Sequence, residues 1–371
     1  MRMSGLVLLM PIAACEAVSN RTPRVDTATT ASSGAIAQTP GAPDSAVPAT
    51  RGRDTAGRDT AGRDSAGRDT TVPSPDTATL LLYPAQPQRG GVIFALARGV
   101  SAERPRCTWR GAPLPCYRVA EGVRAFIPLP ATEPAGTYAL TIDRPGGRIA
   151  RQITVTDRTF GEQNVFVAES LYRRATRRSD IARDARALLR VLAGESAEQR
   201  WTGPWEQPVQ GETSLHYGVQ NSYYPAADSA RRIPLGARDF ATDTGTRATH
   251  APSWRHAGLD LAVPSGTPVR APANAVVADV GDYSLTGRTL TLDHGQGVFS
   301  VYFHLDTVLV RGGETVGAGM TVARSDATGL VTGPHLHYGV YVHGKDVDPT
   351  AWYDMPSFAV SDTAARVAGR R

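Results

Sequence analysis

From Thr77 to Tyr353 the chain is written mostly in short runs of β-branched, aromatic and aliphatic residues, parted by Gly- and Pro-rich turns. That rhythm confines it to a mainly β fold. LLLYPA, GVIFALA, VRAFIPL, GTYALTID and RQITVTD, broken by PAQPQRGG and RPGG, predict a β-sandwich over 77–157. VVADVG, TLTLDH, VFSVYFHL and LHYGVYV predict a second all-β domain of antiparallel strands over 201–355. The segment 158–200 between them reads as a helical linker. Within it SDIARDARALLRVLA, Ser179 to Ala193, has helical periodicity, with Ser179 as N-cap and Gly194 as stop. Ile181, Ala185, Leu188, Leu189 and Leu192 form one apolar stripe suited to packing between domains.

The N-terminal part has no such pattern. Arg2 followed by the apolar run Gly5 to Ile12 is too short to span a bilayer, which needs ~20 apolar residues, and fits the core of a signal peptide over 1–15. It ends in Ile12-Ala13-Ala14-Cys15, which resembles a bacterial lipobox with Cys15 as the lipidated residue; the other reading is an ordinary signal peptide with an incidental cysteine. Residues 16–76 are dominated by small and polar residues, with pentads of the GRDTA kind from Gly52 to Thr71, and predict a disordered tether. Fully extended, ~60 residues reach about 200 Å; as a coil they span ~45 Å. Residues 356–371 are expected to be a disordered tail.

Lipidation of Cys15 would leave an even pair among the three cysteines. Cys107 and Cys116 flank CTWRGAPLPC, whose Gly-Ala-Pro reads as a turn, so a disulfide in an oxidising compartment is expected, with two buried free thiols as the alternative. The formal charge is +5, but Lys345 is the single lysine and no basic cluster interleaves with aromatics, which excludes a nucleic-acid face.

The chemistry lies in the histidines. Of eight, five fall between His294 and His343, with His256 close upstream. HAGLD (His256 to Asp260) puts His256 and Asp260 on one face if it is extended, with Gly258 between them leaving room for an ion. In GPHLH, His335 and His337 share a face by the same rule. Two imidazoles and a carboxylate suit a catalytic zinc, which keeps a fourth position for water. His294 reads as bracing a turn and His343 as part of a hairpin; His216 and His250 have no assigned role.

From His256 to Pro349 the chain resembles the lysostaphin-type zinc endopeptidases of bacterial cell walls. The likeness runs through HAGLDLAVPSGTPVRAPANAVV, LDHGQGVFSVYFHL, VRGGETVGAGMTVA and TGLVTGPHLHYGVYVHGKDVDP. The resemblance implies one Zn2+ per chain held by His256, Asp260 and His337. It implies His304 and His335 as catalytic residues, without saying which is the base. It further implies an antiparallel β peptidase domain of the duplicated hybrid motif, behind an Ig-like sandwich acting as spacer or lid. The substrate would be the peptides of peptidoglycan and the protein a monomer. The anchor at Cys15 would hold it on the periplasmic side of the envelope, and Glu16, which is not the aspartate that signals inner-membrane retention in some bacteria, points to the outer membrane. Two departures bear on substrate preference: Gln220 stands where many relatives have arginine, and Gly339 where many have glutamate. The polar insertion from Tyr224 to His250 is expected to loop over the groove. The alternatives are a non-catalytic peptidoglycan-binding or hydrolase-activating module, which would have lost its ligands, and a sugar-phosphotransfer component, which would lack a signal peptide.

Overall fold

The computed structural model describes residues 78–359 apart from 232, 234, 236–239, 242–246 and 249–250. The signal peptide, Cys15, the tether and residues 360–371 lie outside the described residues. No helix among the described residues is long and apolar enough to cross a membrane.

The N-terminal strands are β1 (Thr79–Tyr83), β2 (Val92–Arg98), β3 (Cys107–Trp109), β4 (Ala112–Leu114), β5 (Cys116–Val119), β6 (Gly122–Pro128), β7 (Gly136–Arg144) and β8 (Gly147–Val155). They form two four-stranded antiparallel sheets, β1-β2-β6-β5 and β4-β3-β7-β8. Ile93, Ala95, Val123, Ala125, Ile127, Leu140 and Ile142 fill the space between them. The turn at Arg110-Gly111, both at positive φ, closes the β3–β4 hairpin. Cys107 and Cys116 form a disulfide, but not across a two-strand turn as the sequence suggested: β4 intervenes, and the bond ties β3 of one sheet to β5 of the other.

GVIFALA and VRAFIPL lack the alternation of a half-exposed strand because β2 and β6 are buried on both faces. Their second face carries Phe94 and Phe126, which pack on Trp352 with ring centroids 5.3 and 6.1 Å away. Trp201 and Trp205 complete this cluster, so three of the five tryptophans sit in the seam between the sandwich and the second domain. Ala131 N donates to Tyr217 Oη at 2.9 Å, and Tyr217 Oη donates to Asp346 Oδ2 at 2.7 Å, extending the seam.

The segment expected to be a helical linker also holds a strand, β9 (Glu162–Val167), before α1 (Glu169–Ala175) and α2 (Arg178–Leu192). The N-cap of α2 is Arg177, with no side-chain cap, so Ser179 lies in the first turn instead. Ile181, Ala185, Leu188 and Leu192 are buried as the stripe predicts, but Leu189, also assigned to it, is only half-buried.

The second domain contains β10 (Glu212–Leu215), β11 (Gln220–Pro225), β12 (Phe240–Ala241), β13 (Arg247–Ala248), β14 (Ser253–Arg255), β15 (Leu259–Ala262), β16 (Pro268–Arg270), β17 (Ala275–Tyr283), β18 (Gly287–Gly295), β19 (Val298–Val308), β20 (Thr315–Val316), β21 (Thr321–Ser325), β22 (Leu336–Val342) and β23 (Lys345–Val347). The main path is β10-β15-β22-β19-β18-β17-β20. β11 pairs antiparallel with β14 and parallel with β9, which welds the linker to this domain. Of the Tyr224–His250 insertion only parts are described, among them the β12–β13 hairpin. Within the segment expected to be a disordered tail, Ser357–Ala359 is instead a 3-10 turn, with Ala359 buried in the seam.

His294 braces this frame. Its Nδ1 bonds to Asn274 O at 3.0 Å and its Nε2 to Ser300 Oγ at 2.8 Å, under Trp205 at 4.2 Å. Burial, against the bond to Asn274, pushes the imidazole down to about 3, below the ~6.5 of an unfolded chain. The unfolded state therefore binds a proton in that window that the folded state does not, and stability falls as pH drops from about 6.5 toward 3. Each pH unit is worth about 1.4 kcal/mol. In urea unfolding, wild type should lose about 3 kcal/mol more than His294→Gln between about pH 7 and about pH 4.5; equal losses would contradict a neutral buried His294.

Candidate metal centre

His256 follows β14, Gly258 makes a bend, and Asp260 lies on β15. HAGLD is therefore not one extended strand, and the shared face comes from the bend. A Cβ at Gly258 would lie 2.4 Å from Tyr338 O and 2.7 Å from His337 Nε2. The glycine thus makes room for the His337 ring rather than for an ion.

Strand register brings the rest together. Asp260 on β15 lies directly opposite His337 on β22, and His337 lies opposite Phe303 on β19. Opposed residues project to one face. Phe303 stacks on the His337 ring at 4.8 Å and 5°. Strict alternation would send His304 to the far side of β19. There the register slips by one residue against β18, and His304 takes φ 62°. This bulge, with a non-glycine residue in the left-handed region, re-aims the imidazole toward the cluster. Its ring centroid lies 4.9 Å from that of His335 and 6.3 Å from that of His337. Asp326 ties the pair by backbone: its N–H donates to His304 O at 2.9 Å, and its carbonyl accepts from His335 N at 3.3 Å.

His256 Nε2, Asp260 Oδ1 and His337 Nδ1 form a triangle with all three sides 2.9 Å. His256 Nδ1 sits 2.9 Å from His216 O. A carbonyl only accepts, so Nδ1 carries the proton and Nε2 presents a lone pair. Burial alone would raise the Asp260 carboxyl; the imidazoles of His256, His335 and His337 around it hold it well below the usual range. The His256–Asp260 pair is thus acceptor against acceptor, unfavourable unless a cation lies between them. Burial, against the bond to Asp260, also pushes His337 down to about 4. These three form a group able to hold a metal ion. Two imidazoles and one carboxylate, with no thiolate, are a donor set that zinc accepts.

His304 and His335 stand beside the triangle in one tautomer each. His304 Nδ1 donates to Thr328 O at 2.8 Å and His335 Nδ1 to Gly333 O at 2.9 Å. Their Nε2 atoms are buried and without a partner, and His335 Nε2 lies 3.8 Å from Asp260 Oδ1. Burial, reinforced by His335 and His337, holds His304 well below its ordinary value.

Sequence reasoning named these five side chains but not the carbonyls of His216, Thr328 and Gly333 that fix their tautomers; backbone acceptors leave no residue-type signal. His216 thus contributes through its backbone, while His343 closes the β22–β23 hairpin and bonds to Glu195 at 2.8 Å. His250 lies outside the described residues. Gln220 sits on β11 and donates to Ser253 Oγ at 2.6 Å. A Cβ at Gly339 would lie 2.9 Å from Val301 Cγ2.

The five site residues have no exposed surface. Ile181 and Ala185 of α2 pack with Tyr223, Trp254, Leu285 and Leu330. Leu285 and Leu330 flank Thr286 and Thr328, the residues whose carbonyls hold the backbone and ring of His304. Asp184 Oδ2 accepts from Ser284 N at 2.7 Å, Arg183 donates to Ser284 Oγ at 2.8 Å, and Arg174 donates to Gly329 O at 3.0 Å. The helices are latched to the two loops beside the site.

A β scaffold that converges two imidazoles and a carboxylate beside two further imidazoles is an arrangement suited to metal-dependent hydrolysis. Residues 254–349, which include all five of these side chains, match the model of Peptidase family M23. Over 95 residues it is 44% identical to an uncharacterized metalloprotease of Haemophilus influenzae, covering 25% of this chain and 20% of that protein. Over 93 residues it is 39% identical to the peptidoglycan DD-endopeptidase ShyA of Vibrio cholerae, covering 25% and 22%. The chain thus spans about a fifth of the length of these relatives. A crystal structure described as a peptidase M23 from Pseudomonas aeruginosa shares the fold at 24% identity and a TM-score of 0.50, over 72% of this chain and 95% of that one.

Gly258→Ala should drive the His337 ring out of the triangle. The chain should still fold but bind zinc about 10–100-fold more weakly in competition with a chelator. Unchanged affinity would mean that the ring's close approach to Gly258 does not position it.

Proposed function

We propose that this protein is a zinc-dependent endopeptidase that hydrolyses the peptide crosslinks of bacterial peptidoglycan. The observation that carries this reading is the 2.9 Å triangle of His256, Asp260 and His337, with the unpartnered Nε2 atoms of His304 and His335 alongside. A relative named as a peptidoglycan DD-endopeptidase supports the substrate class. The non-catalytic alternative predicts lost ligands, and all five residues are present.

His256, Asp260 and His337 would hold one zinc ion. When bound, the ion supplies Lewis acidity for the scissile carbonyl and lowers the pKa of water toward ~7. His304 and His335, each with its proton held on Nδ1 by a carbonyl, offer Nε2 as a base. One Nε2 takes a proton from the attacking water as the C–O bond forms, then gives it to the leaving amine nitrogen as the C–N bond breaks. The other Nε2, after taking up a proton from solvent when the site opens, would donate to the oxygen that gains charge. Cys15 would anchor the protein in the envelope, and residues 16–76 would carry the catalytic domain to the wall.

Because the five residues have no exposed surface, substrate entry requires a neighbouring segment to move, and α2, packed on Leu285 and Leu330 beside the site, is the candidate. The latch from Asp184 to Ser284 N opposes that motion. Losing one such bond costs about 1–3 kcal/mol, so Asp184→Ala should raise hydrolysis of soluble muropeptides by about tenfold. A lower or unchanged rate would show that α2 does not gate the site.

The catalytic assignment is tested by pairing metal content with rate. His256→Ala, Asp260→Ala and His337→Ala should each abolish zinc retention. His304→Ala and His335→Ala should keep the metal and lose about 10²–10⁴-fold in rate. Full activity in both of the latter would sink their proposed role.

A further inference from the structure

We propose that the cleft between the sandwich and the second domain binds a carboxylate on the free edge of the Arg124 guanidinium. Arg124 lies on β6 and is 1% exposed, on the strand face that packs against the second domain. Its Nη1 donates to Ala359 O at 3.0 Å, and the guanidinium lies 5.6 Å from the Phe126 ring centroid. Its Nε and Nη2 are buried and without a hydrogen-bond partner among the described residues. Those two N–H groups point the same way from one edge of the planar group, the fork that takes both oxygens of a carboxylate. A buried cation with that edge unmatched is unfavourable.

The surroundings fit a ligand. Arg124 lines a cleft of about 1100 Å³, roomy enough for a small molecule or a peptide end. Trp201 lines it too, and its Nε1 is a second buried donor without a partner. The remaining charges in the cleft wall nearly balance. Arg200 is held by Glu198 at 3.3 Å and Asp293 at 3.2 Å, while Arg118 is exposed and Glu121 half-buried. Burial pulls Arg124 down to about 10, against the pull of Glu121, so it stays cationic at neutral pH. None of the five residues of the metal centre lines this cleft, and the assignment is independent of the catalytic reading.

A carboxylate can come from two sources. One is the C-terminus or an acidic side chain of a peptide. The other is this chain's own Asp362, three residues beyond Ala359 in sequence. The test follows the Nε–Hε resonance of Arg124 by NMR in the full chain, identified by its absence in Arg124→Lys. N-acetylalanine is titrated in, with the uncharged N-acetylalaninamide as control, into wild type and Asp362→Asn. A saturable shift with the acid alone in wild type identifies the peptide source. A shift on Asp362→Asn substitution, with N-acetylalanine binding only in that variant, identifies Asp362. In either case Arg124→Lys, which keeps the charge but not the fork, should weaken binding of the acid about tenfold or more when binding is followed by calorimetry. If the resonance responds neither to N-acetylalanine in either chain nor to Asp362→Asn, the proposal is overturned.

Discussion

Two acceptor atoms, His256 Nε2 and Asp260 Oδ1, held 2.9 Å apart with His337 Nδ1 at the same distance from each, in a site with no exposed surface, are the constraint on which the domain depends. Apolar packing does not favour that arrangement, because the lone pairs of His256 and Asp260 face each other in a low dielectric. The chain maintains it by fixing what surrounds it. The carbonyl of His216 sets the tautomer of His256, the β15–β22 register sets Asp260 against His337, and the missing Cβ of Gly258 admits the His337 ring. A cation would relieve the repulsion, and the same frame holds the imidazoles of His304 and His335 beside the triangle.

The outlying parts of the molecule hold this frame in place. The β19 bulge re-aims His304, and Asp326 ties its backbone to that of His335. β9 adds a parallel strand to β11, which carries α1 and α2 onto Tyr223 and the loops around Leu285 and Leu330. On another side, Phe94 and Phe126 lock the sandwich onto Trp352 and Trp201. The sandwich is thus fused to the catalytic body by a shared apolar core, and it is the helical segment whose side chains latch the loops beside the site.

Much of this was legible in the sequence. Turn-bounded apolar runs marked most strands, and HxxxD with HxH marked the ligand set, because residue type and spacing encode both. Geometry that depends on the backbone was not legible. The positive φ of His304 occurs at a residue with no preference for it. The role of Gly258 depends on a ring that arrives from a strand some eighty residues away. The N-cap of α2 moved from Ser179 to Arg177 because the loop from α1 sets the helix start. The strand β9 was hidden because EQNVFV is short, half polar and paired only across the domain.

The central claim is that two imidazoles and one carboxylate, and no other side chains, share a single cation. X-ray absorption at the zinc edge of the full-length protein tests it most directly. The account predicts a light-atom shell at about 2.0–2.1 Å, with the multiple scattering of two imidazoles and no sulfur. That pattern should fall to one imidazole in His337→Ala under conditions where the variant is forced to retain metal. A wild-type spectrum with a sulfur ligand, or with three or more imidazoles, would contradict it.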